Sequence, residues 1–271
     1  MPLMLAAGLA VAGWSSPARG SDLVRPAFAA ARCRTPKGVL GAPVRSYLAG
    51  RKSVVAAAVY DAVNGRTYVL HPKLQFDTGS IVKVQIMGAV FRRAMRAHRP
   101  LTSSERSLMT RMIEISDNDA ATALWNEVGG TVGVGAFDRL IPMPGTVPNR
   151  FHWGGTLTTG PDNVALIRHY AYPSNVLPPK RRAFGMYLME HVVASQRWGV
   201  SAGVAPGSTV ALKNGWLPIA SGNWEINSIG YVHGHGRDYV IAVLSNHNPS
   251  MPYGVFTLSH VSRLVWQSLA C

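Results

Sequence analysis

The sequence predicts an α+β fold in which an antiparallel sheet is interrupted by a helical insertion. Two strand candidates lie near the start of the chain and three lie near its end. The long segment between them, about 74–205, carries apolar residues at helical spacing. Strands followed by helices and again by strands favour one sheet that contains an inserted helical region. With 47% hydrophobic and 15% charged positions among 271 residues, the chain can bury a sizeable core.

The first two strands are joined by a strong turn signal. Residues 53–60 are a run of β-branched residues and alanine, and residues 66–71 are a second strand candidate. Asn64-Gly65 between them is the dipeptide that most favours a tight hairpin turn. We therefore expect a β-hairpin near the start of the folded domain.

Three strands and a closing helix are predicted at the other end of the chain. The strands fall at about 208–216, 224–232 and 239–245, with glycines in the last connection. A helix follows from about 253 to 269, since its apolar residues recur on one helical face.

The inserted region contains several helices with recognisable ends. Thr102-Ser103-Ser104-Glu105 is a capping-box pattern that opens one of them. Residues 119–128 form another, which Gly129-Gly130 ends, and two more are predicted at 159–172 and 181–193.

A lysine interrupts an otherwise apolar stretch at the start of the first inserted helix. In residues 80–91, Lys83 is the only ionisable side chain. Burial disfavours the charged ammonium, so the pKa of Lys83 should fall and its neutral amine should become a usable base. Ser80 lies three residues earlier, nearly one helical turn, so its hydroxyl should lie beside that amine. The pair predicts an activated serine nucleophile and hence acyl transfer.

The formal charge of +14 comes mostly from arginine. Four arginines, Arg92, Arg93, Arg96 and Arg99, fall near the end of the helix that carries Lys83. The simplest interpretation is a solvated helix face. The alternative is attraction to an anionic polymer such as cell-wall material. No nucleic-acid-binding motif accompanies the charge, so we expect no nucleic-acid partner.

The first 30 residues are predicted to lie outside the fold. Residues 3–14 are an apolar run followed by small residues, too short to span a membrane and similar to an export leader. An ordered N-terminal helix is the alternative. The leader predicts a secreted protein associated with the cell envelope. Export would permit a disulfide between Cys33 and Cys271, while two unpaired thiols stay equally open.

Two further short motifs follow Ser80 and Lys83 along the chain. Ser116-Asp117-Asn118 precedes a predicted helix, and Lys213-Asn214-Gly215 lies on the first strand after the helical region. Taken singly, the three motifs could be a helix start, an Asx turn and an edge strand. Their order is the one that a single catalytic mechanism requires.

In these motifs the chain resembles the penicillin-recognising serine enzymes, most closely class A β-lactamases and their actinobacterial serine-hydrolase relatives. Those proteins carry S-x-x-K, S-D-N and K-T-G in this order. The resemblance covers about 54–266. It implies a five-stranded antiparallel sheet with flanking N- and C-terminal helices and an all-helical lobe. The lobes would be 31–73 with 206–271, and 74–205, with the active site between them.

The resemblance also implies catalytic roles. Ser80 would attack a carbonyl with Lys83 as its base. Ser116 would relay a proton to the leaving nitrogen, and Lys213 would supply positive charge for a substrate carboxylate and for Ser116.

Four further residues would bind substrate by the same resemblance. Asn118 would bond the substrate amide and help to hold Lys83. Asn214 and Gly215 would be further substrate-binding positions, where the larger amide of Asn214 could crowd or re-orient a substrate carboxylate. The backbone N–H groups of Ser80 and Trp216 would form the oxyanion hole.

Two departures from the family pattern are important. Class A enzymes use a glutamate to activate the deacylating water, yet no glutamate occurs between Glu127 and Glu190. The corresponding loop, 149–155, offers His152 as a base or as an ordinary loop residue, and Asp162 is expected to be a helix-start acid. Asn214 replaces the family's hydroxyl residue.

Three functions are therefore left open by the sequence. The first is an acyl-enzyme serine hydrolase for amide, ester or β-lactam carbonyls, with weak or absent β-lactamase turnover. The second is a D-alanyl-D-alanine carboxypeptidase or transpeptidase acting on cell-wall peptides, and the third is a non-catalytic wall-binding protein. We expect a monomer with a small-molecule or peptide substrate, without a metal or other cofactor.

Overall fold

The computed structural model describes residues 38–269 of the chain. The predicted export leader, Cys33 and Cys271 lie outside the described residues. Within them, none of the helices is both long and apolar enough to cross a membrane. In chain order the helices and strands are α1 (Ala42–Ala49), β1 (Val54–Asp61), β2 (Arg66–Leu70), β3 (Phe76–Asp77), α2 (Lys83–Arg96), α3 (Ser103–Glu114), α4 (Asn118–Glu127), α5 (Gly130–Asp138), β4 (Leu157–Thr158), α6 (Gly160–Ala171), α7 (Pro179–Glu190), β5 (Thr209–Pro218), β6 (Trp224–Gly234), β7 (Arg237–Asn248) and α8 (Met251–Ser268).

Five of the strands form one antiparallel sheet in the order β2-β1-β7-β6-β5. The N-terminal hairpin therefore pairs with the last strand of the chain, for example Val59 with Ile241. This topology makes the region between β2 and β5 an insertion, and it confirms the predicted α+β fold with a five-stranded antiparallel sheet. Strand β5 lies at one edge of the sheet, where one side of its backbone is free to face other elements.

The sheet is covered by helices that bury its apolar residues. Helix α6 contacts β1 and β7, and α8 contacts β6 and β7. In β1, Ala56, Ala57, Ala58 and Val59 have no exposed surface. Because alanine side chains are short, they let α6 come close to the strand backbone: a Cβ on Gly160 would lie 3.3 Å from the Ala57 carbonyl carbon.

Helix α2 is the centre of the inserted helical region. It contacts α3, α4 and α5, and ten of its fourteen residues are buried. Helix α3 begins with the predicted capping box: Thr102 Oγ1 accepts from the Glu105 N–H at 3.0 Å, and Glu105 Oε2 accepts from the Thr102 N–H at 2.7 Å. Because other helices surround α2, its polar side chains are held away from water. This burial is what lowers the pKa of Lys83.

The start of α2 differs from the prediction. The chain first makes a 3-10 turn over Gly79–Val82, and regular α-helix begins at Lys83. Gly129-Gly130 ends α4 as predicted, since Gly129 has φ +87°, and the helix α5 that begins at Gly130 is an element that the sequence did not predict. Glycine lets α5 and α2 approach closely, since a Cβ on Gly88 would collide with the Phe137 ring.

Candidate active site

Ser80 lies in the 3-10 turn Gly79–Val82, which is pressed against the edge strand β5. Gly79 has φ +52°, and a Cβ at this position would lie 2.9 Å from the Trp216 backbone nitrogen. A Cβ on Gly215 would lie 2.5 Å from the Thr78 carbonyl oxygen and 2.8 Å from the Ser80 nitrogen. Only glycine permits these approaches. They bring the backbone N–H groups of Ser80 and Trp216 to the same wall, and Ser80, in the first helical turn, has no helical acceptor for its N–H.

Lys83 has no exposed surface because α2 lies inside the helical region. Its Nζ donates to the Ser116 carbonyl oxygen at 2.6 Å, to Ser116 Oγ at 3.1 Å and to Asn118 Oδ1 at 2.8 Å. Burial lowers the pKa of Lys83 to about 7, and the charge of Asp117 opposes this shift. This environment agrees with the sequence-based prediction that the Lys83 amine is buried and loses its charge near neutral pH.

The direct hydrogen bond expected between Ser80 and Lys83 is not among the hydrogen bonds of residues 38–269. The amine instead bonds to Ser116 and Asn118. Ser80 lies in the 3-10 turn that precedes α2 and Lys83 is the first residue of α2, but the lysine side chain is long enough to reach the loop after α3. There, carbonyl and amide oxygens accept its protons. Ser80 lines the cleft without a hydrogen bond to the amine.

Ser116 joins the two motif lysines. It ends α3 with φ +59°, a left-handed conformation that few non-glycine residues adopt. Its Oγ accepts from Lys213 Nζ at 2.9 Å as well as from Lys83. Lys213 is fully buried, and burial lowers its pKa well below the usual value, with the charge of Lys83 adding to the effect. Repulsion across one hydroxyl therefore favours the state in which at most one of the two amines is charged.

Two predicted substrate contacts differ from the expectation. The Asn214 side chain is buried, and its Nδ2 donates to the carbonyl oxygens of Gln196 at 2.7 Å and Trp198 at 3.0 Å. Those bonds fix the segment beside β5 and leave the amide outside the cleft lining. Lys213 is likewise absent from the described residues that line the cleft. Its Nζ donates to Ser116 Oγ, which does line the cleft, and to the Asn214 carbonyl oxygen.

Trp153 covers the Lys83 amine from the other side. Its ring centre lies 4.9 Å from Lys83 Nζ, and its Nε1 donates to Thr122 Oγ1 at 3.1 Å. An aromatic face this close attracts the cationic form of the amine. The sequence itself assigns no role to Trp153. Its place in the loop that lacks the expected glutamate was the available signal for a more specific role.

The site opens into a cleft of about 370 Å³. Ser80, Ser116 and Asn118 line it together with Trp153 and Trp216, and the other lining residues are Gly79, Ile115, His152, Gly154, Gln196 and Leu217. None of these described lining residues is acidic. The cleft therefore offers a serine hydroxyl, a second hydroxyl with two lysine partners, and aromatic walls, but no carboxylate.

His152 and Asp162 have structural roles. His152 Nδ1 accepts from the Gly155 N–H at 2.9 Å, so the proton of the neutral ring lies on Nε2. Nε2 is then a donor, which argues against His152 as the base. Asp162, as expected, lies in the first turn of α6, and its carboxylate accepts from Thr146 Oγ1 at 2.7 Å. Across the described residues, no group of three His, Cys, Asp or Glu side chains is placed to hold a metal ion.

Known proteins of the same fold are similar to this one at low sequence identity. A class A beta-lactamase from Bacteroides cellulosilyticus has a TM-score of 0.77 and 18% identity, over 87% of this chain and 99% of that one. A class A beta-lactamase from Mycobacterium abscessus has a TM-score of 0.72 and 22% identity, over 83% and 97%. PBP-A has a TM-score of 0.73 and 19% identity, over 83% and 94%.

Sequence comparison gives a relative and a family. LppW of Mycobacterium tuberculosis, which is named as a lipoprotein, is 25% identical over 203 residues. The match covers 71% of this chain and 63% of LppW, so the chain spans less than two thirds of that relative. Residues 96–269 match the model of the beta-lactamase enzyme family and include Ser116-Asp117-Asn118 and Lys213-Asn214-Gly215. Because this match takes in more than half of the chain, the protein belongs to the beta-lactamase enzyme family.

Proposed function

We propose that the protein is an active-site-serine hydrolase that forms an acyl-enzyme on Ser80 with amide, ester or β-lactam substrates and releases β-lactam products slowly or not at all. The observation that carries the proposal is the hydrogen-bonded chain of Lys83, Ser116 and Lys213 beside the cleft that Ser80 lines. Two buried amines with lowered pKa values on one hydroxyl are suited to moving a proton near neutral pH.

The reaction would begin with attack of Ser80 Oγ on the substrate carbonyl carbon. The Ser80 proton would pass to the neutral Lys83 amine as the new C–O bond forms, and this transfer requires the two side chains to move into hydrogen-bond contact with one another. Ser116 then donates its proton to the leaving nitrogen, and Lys83 restores it through their hydrogen bond. The proton count balances: one proton leaves Ser80 and one reaches the leaving group, with Lys83 neutral at the end.

The developing oxyanion would be held by the backbone N–H groups of Ser80 and Trp216. The close approaches at Gly79 and Gly215 support this assignment, because they place both groups on one wall. A single donor of this kind is worth about 2.7–4 kcal/mol of transition-state stabilisation. The wall would therefore contribute a large part of the rate of acylation.

Slow deacylation is proposed because the cleft lacks a base for water. No lining residue is acidic, His152 Nδ1 is occupied by the Gly155 N–H, and Trp153 covers Lys83. A variant of PBP-A, which is similar to this protein in fold, has a solved structure as an acyl-enzyme complex with penicillin G. By analogy, this fold can hold the acyl-enzyme long enough to be observed.

Intact-mass measurement after incubation with benzylpenicillin is expected to show one persistent adduct on the full chain, located on Ser80. Ser80→Ala should show none, while the matched change of an exposed serine, Ser104→Ala, should leave the adduct unchanged. Rapid loss of free penicillin would contradict slow release, and an unlabelled wild-type protein would contradict acylation. Release of D-alanine from a D-alanyl-D-alanine peptide would favour the carboxypeptidase alternative.

The rate of acylation is expected to rise with pH through about 7, the pKa to which burial lowers Lys83. The neutral amine is the active form, so the rate should fall about tenfold for each pH unit below that value. Stopped-flow measurement of acylation from acid to mildly alkaline pH tests this expectation. Thermal melts over the same range serve as the control for unfolding, and a pH-independent rate would exclude Lys83 as the base.

We also propose that the protein acts outside the cytoplasm, at the cell envelope. The leader-like run in residues 3–14 supports this location, as does the similarity to LppW, a protein named as a lipoprotein. Fractionation of the source cells tests the proposal, and recovery only in the cytoplasmic fraction would contradict it.

A further inference from the structure

A basic pocket lies away from the cleft, where the start of α3 meets the start of α7. Its volume is about 350 Å³, and four cationic side chains line it together with the Phe184 ring. Two of them, Arg99 and Arg106, come from the loop before α3 and from α3 itself, and Lys180 and Arg181 come from the first turn of α7. This volume is within the range of about 300–1,000 Å³ that is typical of small-molecule sites.

Glu105, the carboxylate that pairs with Arg99 of the basic pocket, already has three hydrogen-bond donors. Glu105 accepts two hydrogen bonds from Arg99, at 2.8 and 2.7 Å, and a third from the Thr102 N–H. Its side chain is 2% exposed. Among the ion pairs of residues 38–269, Arg106, Lys180 and Arg181 do not occur. Within the described residues, the pocket therefore has three cations without a carboxylate partner.

Neighbouring groups hold two of these cations, Arg106 and Arg181. The Arg106 guanidinium lies 5.2 Å from the centre of the Phe184 ring, and Arg181 Nη2 donates to the Arg99 carbonyl oxygen at 3.2 Å. Burial lowers the pKa of Arg181, and the charges of Arg106 and Arg99 lower it further against the effect of Glu105. Like charges are thus held together at a cost that a bound anion would remove.

The first turn of α7 adds to the positive potential. It contains Lys180 and Arg181 but no acidic residue, and its N-cap, Pro178, makes no side-chain cap. A helix N-terminus carries partial positive charge and normally attracts acidic side chains. Basic residues at this end destabilise the isolated helix. Their presence is consistent with an external anion that binds to them.

We propose that the basic pocket binds a phosphate group of a phosphorylated small molecule or of a phosphate-containing polymer. Guanidinium groups pair with phosphate oxygens through two parallel hydrogen bonds. A phosphate monoester carries up to two negative charges, and a phosphodiester polymer carries one charge at each of many successive phosphates, so either matches several cations better than one carboxylate does. The volume exceeds that of one phosphate, so the rest of the ligand lies against Phe184. This site is independent of acylation at Ser80.

Calorimetric titration of the full chain with pyrophosphate at low ionic strength tests the proposal. Arg106→Gln and Lys180→Gln are each expected to weaken binding about tenfold. The matched changes Arg66→Gln and Lys73→Gln, at exposed sites away from the pocket, should leave it unchanged. Acylation by benzylpenicillin should stay normal in all four variants. No binding by the wild type, or equal losses in test and control variants, would overturn the assignment.

Two further arms of the same experiment distinguish the source of the phosphate. The wild type and Arg106→Gln are titrated with poly(glycerol phosphate) and with phosphatidylglycerol vesicles. Loss of polymer binding in Arg106→Gln assigns the pocket to a polymer, and loss of vesicle binding assigns it to a lipid headgroup. Binding of either that Arg106→Gln leaves unchanged belongs to the general basic surface and counts against the pocket.

Discussion

Replacing Ser116 with alanine is expected to slow acylation by benzylpenicillin about 10²–10⁴-fold, the usual contribution of general acid–base catalysis. The Ser116 Oγ is the atom that links Lys83 to Lys213. Without it, the leaving nitrogen loses its proton donor. Both amines also lose an acceptor, although Lys83 keeps the Ser116 carbonyl oxygen and Asn118. Stopped-flow acylation rates of the purified variants provide the measurement.

A second variant separates the hydroxyl from the backbone at this position. Ser116 has φ +59°, a conformation that glycine adopts without strain and alanine does not. Ser116→Gly should therefore be the more stable of the two, yet it should acylate as slowly as Ser116→Ala. If Ser116→Gly acylated at the wild-type rate, the hydroxyl would have no part in proton transfer.

Much of the fold could be predicted from local sequence signals. Asn64-Gly65 lies in the turn between β1 and β2, and Thr102 with Glu105 forms the predicted capping box. These features depend on residues close in sequence, so local rules suffice. The pairing of β1 with β7 joins distant parts of the chain. The expectation of a five-stranded antiparallel sheet rests on the family resemblance rather than on the residues alone, and the order of the strands comes from the structure.

The sequence predicts which residues form the candidate site but not which hydrogen bonds connect them. Lys83, Ser116 and Lys213 do come together, as the order of the motifs indicates. Spacing could not show where the long Lys83 side chain ends, because Ser80 and the loop after α3 are both within its reach. The orientation of the Asn214 side chain depends on the carbonyl oxygens of Gln196 and Trp198. Only folding brings this segment next to Asn214.

The role of the charged surface could not be predicted from the sequence either. The sequence left open whether the arginines after Lys83 are a solvated face or an anion site. In the structure, Arg93 pairs with Glu127 and Arg99 with Glu105. Beside them lies Lys180, which has no ion-pair partner in the part of the chain that the structure describes and comes from a helix about eighty residues later in the sequence. A cluster built by two helices cannot be recognised in one helix's sequence.

Replacing Gly215 with alanine is expected to slow acylation about 10²–10³-fold, the effect of losing one oxyanion donor. The new Cβ would lie 2.5 Å from the Thr78 carbonyl oxygen, 2.8 Å from the Ser80 nitrogen and 2.9 Å from the Ile81 nitrogen. All three are backbone atoms, which cannot rotate away as a side chain could. Strand β5 and the Ser80 turn must therefore separate, and the Ser80 and Trp216 N–H groups would no longer converge on one oxygen.

Gly50→Ala is the matched control for this substitution. Gly50 is exposed, its φ is −92°, and the nearest atom to a new Cβ is 3.8 Å away. This variant should acylate at the wild-type rate. Thermal melts of both variants distinguish a local shift of the turn from loss of the fold, because a folded Gly215→Ala protein with slow acylation isolates the effect on the wall. Normal acylation in a folded Gly215→Ala protein would mean that the carbonyl oxygen of the substrate is held elsewhere, and the Trp216 N–H would lose its assigned role.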